Sequence, residues 1–485
     1  MHRQSLICFI GGVLALALAA WAGGQGAQQG AGTGAGKRDA GKVGGQKSRA
    51  SFITVLDYGA LGDGSTDDTA AIQSLVDLKA GTVRFPAGTY RITKTIVIDL
   101  DKVGLTSLVA DGTARLEMAG AGPAIKFIGT HGGTAAPDSV KPEVWERQRM
   151  PAVEGLAIVG AHDEADGIEA AGTMQITLRG VHIRNCRHGV RLVERNRNVL
   201  IDGCHIYENR GCGILYDHVN LHQTNISASH ISYCGGGGIV VRGGDVRNIH
   251  ISGCDIEANQ AKDGQPTANI LLDCADGSVA EVAITGCTIQ HGKDAPDSAN
   301  IRILGRGVVM RNGKPTEFNC GHVTIGDNVL SDVQTNIHLV GARGVTITGN
   351  TFWQGYAHNL LVEDSLHVIV GANMMERNPL YGYTSEASNK VVFRRCDDCT
   401  IQGLHVHGVI QSEAGVVLDK CNRIHVSGCT ILDCEGGALL LKDTTRSKVH
   451  GNLFHDQRPE AKPEEPLVRE TGIGTNEIEQ GPQRL

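Results

Sequence analysis

The stretch IHISGCDI, residues 249–256, decides the fold of this chain because it recurs. ITLRGVHI (176–183), VLIDGCHI (199–206), VAITGCTI (282–289), VTITGNTF (345–352), VIVGANMM (368–375), IHVSGCTI (424–431) and SKVHGNLF (447–454) are versions of one unit. Weaker copies end at Ile231, Leu330 and Val406. Copies usually stand 22–25 residues apart, with wider gaps where loops have been inserted, and such a period marks a solenoid. Apolar residues alternate within the unit, as at Ile249 and Ile251, which is the period of a strand.

A second strand follows in each repeat: HGVRL, CGILY, GGIVV, ANILL, ANIRI, TNIHL, HNLLV and AGVVL. Just before its first inward residue stands Gly or Asn, at Gly189, Gly213, Gly238, Asn269, Asn300, Asn336, Asn359 and Gly415. These residues tolerate a left-handed backbone, so each coil is expected to turn a corner there. The pattern predicts an all-β, right-handed single-stranded parallel β-helix of about twelve coils, a rod of roughly 55 Å.

The unit also gives the cysteines an address. Cys204, Ser229, Cys254, Cys287, Asn328, Asn350, Asn373, Cys429 and Asn452 fall in one column, and Cys186, Asn209, Cys234, Asn259, Asn378 and Cys434 in another. Small inward side chains in such a column either pack and hydrogen-bond along it or, in an oxidising compartment, form some disulfides. Cys396 and Cys399 form a lone C-x-x-C, and Cys396 is in register with Cys421.

Composition agrees with many short strands: 65 of the 485 residues are Gly, and aromatics make up 4%. A net charge of -7 shows no basic excess for a nucleic-acid partner. Residues 1–22, with the apolar run LICFIGGVLALALAA and the small residues of AWA, are expected to be a secretory signal peptide. Residues 23–50 are expected to be a flexible Gly/Ala linker, 51–457 the β-helix domain, and 458–485 a disordered tail. The mature protein is therefore expected to be secreted, periplasmic or at the cell surface, without a membrane span.

Ahead of the repeats, VLDYGALGDGSTDDTAAIQSLVD (55–77) and GTVRFPAGTY (81–90) predict strand, turn, helix and strand, with Asp67 or Thr66 capping a helix that runs to about Leu78. Ala70, Ala71, Ile72 and Leu75 supply its apolar side, suited to covering the open end of a solenoid. YGALGDGSTDDTAAIQ with VRFPAGTYRIT closely resembles the N-terminal signature of the pectate-lyase-like superfamily, which includes rhamnogalacturonase and epimerase-type domains and phage tailspike depolymerases. The resemblance covers about forty residues and implies the β-helix with its helical cap, with Asp63, Asp67 and Asp68 in structural roles. It implies little about activity, since the superfamily holds lyases, hydrolases, epimerases and non-catalytic proteins. The motifs of polygalacturonases are missing apart from an Asp397-Asp398 pair in another context.

Taking Ile214, Ile239, Ile270, Ile301, Ile337 and Leu360 as inward places Asp217, Arg242, Asp273, Arg302, His338 and Glu363 outward on neighbouring coils, followed by Arg394, Asp419 and Lys442. Such a stripe is either a ladder of surface ion pairs or a glycan groove. In a groove, Asp217 and Asp273, two coils or about 9 to 10 Å apart along the axis, would suit the acids of an inverting hydrolase. In a lyase the same acids would hold Ca²⁺, while Arg242 or Arg302 neutralises a uronate and His218 or His222 takes its C5 proton. Trp353 and Tyr356, with Tyr381 and Tyr383 of the inserted loop, are a candidate sugar-stacking platform beside His338 and Glu363, or a loop packed on the rod by its own aromatics. The expected partner is a polysaccharide or oligosaccharide, and the expected function is lysis, epimerisation or hydrolysis of an acidic or complex glycan. A non-catalytic glycan-binding solenoid is the alternative.

Overall fold

The structure is a computed structural model that describes residues 53–479 apart from 113, 306–307, 312, 318–319, 379–385 and 462–465. The leader and linker expected at 1–50, and Tyr381 and Tyr383, lie outside the described residues. Coils contribute a short strand, such as His205–Tyr207, followed by a long bent one, such as Cys212–Ser227, or by two shorter ones in its place, such as Val333–Val340 and Arg343–Thr348. Successive coils pair in parallel, building a 15-stranded sheet of the first kind and a 25-stranded sheet of the others. The chain is a right-handed parallel β-helix. A small antiparallel hairpin, Val308–Arg311 with Lys314–Glu317, stands apart from both sheets.

Alternation sends one side of each strand inward. Ile206, Ile231, Ile256, Ile289, Leu330 and Phe352 pair coil upon coil and are fully buried. Each such side chain contributes roughly 1.5 to 3 kcal/mol relative to exposure, so the stacked aliphatics are the main stabilising element. Thirteen cysteines among the described residues are all buried and unbridged. The two columns are built as the repeat predicts: Asn209 accepts from the Cys186 amide, Asn328 from the Cys287 amide, and Asn328, Asn350 and Asn373 bond in series at 2.9 to 3.0 Å.

Three expectations are corrected. The corners are not at Gly189, Gly213, Gly238 and the aligned asparagines. The left-handed residue is the glycine inside the unit itself, such as Gly203 (φ 60°) and Gly253 (φ 58°), with further left-handed bends at His218 and Gln223 in the long strand. Gly213 is required for space, because a Cβ there would lie 2.7 Å from Ile231 Cγ2 and 2.8 Å from the Gly238 carbonyl. The asparagines that replace it point inward and form a third ladder, Asn269 to Asn300 to Asn336 to Asn359, at 2.7 to 2.9 Å.

Among the described residues the sheet of short strands also has 15 members where about twelve coils are expected, because the first four, Asp63–Asp67, Thr89–Ile92, Arg115–Met118 and Ala157–Gly160, lack the glycine-cysteine signature. Finally, Val468–Thr471 and Thr475–Ile478 pair with the preceding coil where a disordered tail is expected; Leu467 anchors them at 4% exposure. The Pro- and Glu-rich stretch before them hides so short an apolar signal.

At the N-terminus the helix Thr69–Asp77 buries Ile72, Leu75 and Val76 against the first coils, with Ala70 exposed. Asp68 is the N-cap residue by position, but its carboxylate accepts from the Leu61 and Gly62 amides at 2.7 and 3.1 Å. Asp63 binds Ser65 and Thr66, and Asp67 binds Thr69 and Thr93. All three acids therefore tie the cap together.

Candidate active site on the charged face

The outward side of the long strands holds two parallel columns rather than one stripe. Asp217, Arg242 and Asp273 align with one another, and the column continues through Leu304, Val340, Glu363, Arg394, Asp419 and Lys442. Arg302 and His338 belong to the next column, two residues earlier, in register with Leu215, Val240 and Leu271. Asp217, Arg242, Asp273 and Glu363 stand three residues after the inward residue of their strand, whereas Arg302 and His338 stand one after it, which separates the two columns.

Leu215, Val240 and Leu271 point outward yet are 0 to 5% exposed, because Cys212, Ala268 and Ala299 pack against them. This apolar block divides the charged face into two clusters. In the first, Arg191 bridges Glu169 at 2.9 Å and Asp217 at 2.5 Å, Lys126 takes the other Glu169 oxygen at 2.9 Å, and His218 Nδ1 takes the other Asp217 oxygen at 2.8 Å. Burial pushes the Asp217 carboxyl up, but the hydrogen bonds from His218 and Arg191 outweigh it and hold it below the usual carboxylate range. Asp217 is thus an ionised partner in a matched network and is poorly suited to serve as a general acid. Asp273 accepts from the Ala275 amide, and exposed Arg242 forms an ion pair with neither acid among the described residues.

The second cluster is open. Arg302 is only 4% exposed, because the inserted loops fold over it: it donates to the carbonyls of Thr267 and Asp297 and pairs with the Asp297 carboxylate at 3.0 Å. Those loops border the face, and Arg302 is a clamp for them that is not presented to solvent. Its Nε donates to His338 Nδ1 at 3.2 Å, which leaves the His338 proton on Nε2, facing Glu363 at 3.3 Å. Arg394 bridges Glu363 at 3.1 Å and Asp419 at 3.3 Å.

Beside this relay lies a cavity of about 210 Å³ lined by His358, Lys390, Arg394, Glu413 and Asp419, among others. His358 and Lys390 are adjacent in register on consecutive coils. Burial pulls the His358 imidazole down to about 4, with Lys390 beside it adding to the shift, so the ring is neutral at neutral pH. His358 Nδ1 and Asp419 Oδ1 are both buried and have no hydrogen-bond partner among the described residues. Lys390 makes no ion pair among the described residues, so the pocket holds a cation not matched by the fold.

Of the residues singled out from sequence, the structure brings His338 and Glu363 to this site and places Arg302 beneath its edge. Asp217 and His218 lie in the closed cluster beyond the apolar block. Of the platform expected at Trp353, Tyr356, Tyr381 and Tyr383, the described residues include Trp353 and Tyr356, both half-buried. The Lys293 ammonium sits 4.8 Å over the Tyr356 ring, and the Tyr356 hydroxyl donates to Gln354 at 3.1 Å. Sequence reasoning misses His358 and Lys390 because they precede the inward residues Leu360 and Val391, where a loop ends. Counting back from those inward positions would find them.

Residues 52–122 match the family described as Rhamnogalacturonase A/epimerase, pectate lyase-like, residues 153–265 the Right handed beta helix region, and residues 280–466 the Periplasmic copper-binding protein (NosD). The mannuronan C5-epimerase AlgE3 of Azotobacter vinelandii is 56% identical over 45 residues, which is 8% of this chain and 2% of that enzyme. AlgE5 of the same organism is 56% identical over 43 residues, 8% of this chain and 4% of the enzyme. The aligned stretch is thus a few percent of the length of the curated relatives. Among solved structures, bacteriophage phi29 gene product 12 has a TM-score of 0.53 at 14% identity, over 82% of this chain and 52% of that one. The A-module of AlgE4 from Azotobacter vinelandii has a TM-score of 0.37 at 14% identity, over 88% and 100%. At such identities the likeness is one of fold.

The copper in the third description does not fit the described residues. Among them no three His, Cys, Asp or Glu side chains converge as metal donors. The His425 and His450 Nε2 atoms, 2.9 Å apart, bond to each other and supply only two.

Proposed function

The chain is a pectate-lyase-like right-handed parallel β-helix protein, and from that premise we propose that it is a secreted, carbohydrate-active protein that binds an acidic polysaccharide along the charged face and acts on a uronate at the His358 pocket. The observation that carries this is the pairing of a neutral, partnerless imidazole with an unmatched Lys390 and with Arg394 in one small cavity.

Abstraction of the C5 proton of a uronate needs its carboxylate neutralised, and Lys390, which has no ion-pair partner among the described residues, supplies the charge. It also needs a base that is free of its proton at working pH; His358 meets this, with its base strength lowered by the same burial. Expulsion of the 4-linked sugar from the resulting carbanion, with the proton taken by His358 passing to the leaving oxygen, gives a lyase; protonation of the carbanion by water on the other face of the ring, with His358 giving its proton back to the hydroxide so formed, gives an epimerase. The short match to mannuronan C5-epimerases, which are named for a uronan, supports this class of substrate.

The test is to incubate the protein with a panel of polyuronates and follow unsaturated uronates by absorbance and C5 configuration by NMR. His358→Gln should lower turnover by about 10² to 10⁴-fold with binding retained. Binding without any product from the unaltered protein would leave a glycan-binding solenoid instead.

A further inference from the structure

A second groove lies on a different face of the rod. Beyond the bend of the long strands, Thr177, Leu200, Asn225 and His250 stack in register on consecutive coils and floor a cavity of about 560 Å³. Its rim is a column of amides, one per coil: Gln175, Asn198, Gln223 and Asn248, each at a left-handed bend with φ between 55° and 68°. None of these four, nor Asn225, makes a side-chain hydrogen bond among the described residues, and Asn198 Oδ1 is buried without a partner. The amides inside the helix behave in the opposite way, each bonded to the next. Leu200, 38% exposed, and Met150, 61% exposed, add aliphatic surface between them. No Asp, Glu, Lys or Arg lines the groove.

We infer that this groove is a second glycan-binding site, which takes a neutral linear oligosaccharide laid along the helix axis. An amide offers a donor and an acceptor together, which matches a pair of neighbouring sugar hydroxyls, and aliphatic side chains match the C–H face of a pyranose ring. Coils stack at about 4.8 Å, so the four amides span about 14 Å, close to one ring per coil. The uncharged lining gives a carboxylate nothing to pair with, so the groove and the His358 pocket select different sugars. A chain held here is one whose residues carry hydroxyls only.

The test is calorimetry on the full chain with neutral β-1,4-linked hexasaccharides of glucose, mannose and xylose, beside a hexauronate. At least one neutral hexamer should bind, with an affinity insensitive to salt. The double variant Gln223→Ala, Asn248→Ala should weaken it about tenfold or more, each lost hydrogen-bond pair being a modest term. Leu200→Arg, at an exposed position, should block it outright. Lys390→Ala should leave neutral binding unchanged while weakening the hexauronate, so failure at one site is distinguishable from failure at the other. The inference is overturned if no neutral hexamer binds, if binding survives both groove variants, or if light scattering shows that the groove pairs two copies of the chain.

Discussion

His358 concentrates the chemistry of the proposed site in one ring. Its folded-state value of about 4 lies below the ordinary 6.5, so the native state binds fewer protons than the unfolded chain between these limits. The sign follows: its contribution to stability is full above about 6.5 and is lost as pH falls toward about 4. Urea midpoints of the unaltered protein should fall over that window, and His358→Gln should flatten the fall. Turnover by the same imidazole should disappear as pH drops through about 4.

A second prediction at this scale concerns Asn300, which accepts from Asn269 and donates to Asn336 and the Ser331 carbonyl. Asn300→Ala leaves buried neighbours unsatisfied and should cost about 1 to 3 kcal/mol in denaturation. The identity of these residues is plain in the sequence, but their role is not. Gly and Asn share a tolerance for left-handed backbone, and here they share a column for another reason: Gly leaves room for a neighbouring coil, while Asn bridges to it.

Within one coil, glycine serves two different physical ends. Gly253 has φ 58°, and a Cβ added to it would meet nothing within 4 Å, so Gly253→Ala should cost about 1 kcal/mol from backbone strain alone. Gly213 has an extended backbone but no space, and Gly213→Ala should cost more, about 1 to 3 kcal/mol, because Ile231 and the Gly238 carbonyl must shift. Thermal or urea denaturation of the two variants checks the order.

The strands themselves are legible because Ile249, Ile251 and their equivalents alternate without interruption. The outward columns are less so: each long strand turns outward both one and three residues after its inward residue, and Arg302 and His338 occupy the first of these positions, two residues before the column of Asp217 and Glu363. Arg302 also reads as a surface cation, since nothing in its own strand reveals that Thr267 and Asp297 will fold over it.

Across the whole molecule, a stack of nearly equivalent coils presents the same faces repeatedly, and function depends on where that repetition is broken. On the charged face the first cluster matches its charges internally through Arg191, the Leu215, Val240 and Leu271 block interrupts it, and beyond Arg302 a cavity opens beside His358 and Lys390. The helical cap and the solenoid can be read from the chain because they rest on local pattern. The pocket cannot, because His358, Lys390 and Asp419 come from three different coils. The most direct measurement of the central claim is the affinity of a hexauronate for the unaltered protein and for Lys390→Ala, titrated at low and high salt. An acidic-glycan pocket predicts salt-sensitive binding that falls about tenfold or more in the variant; equal affinity for the two proteins would contradict it.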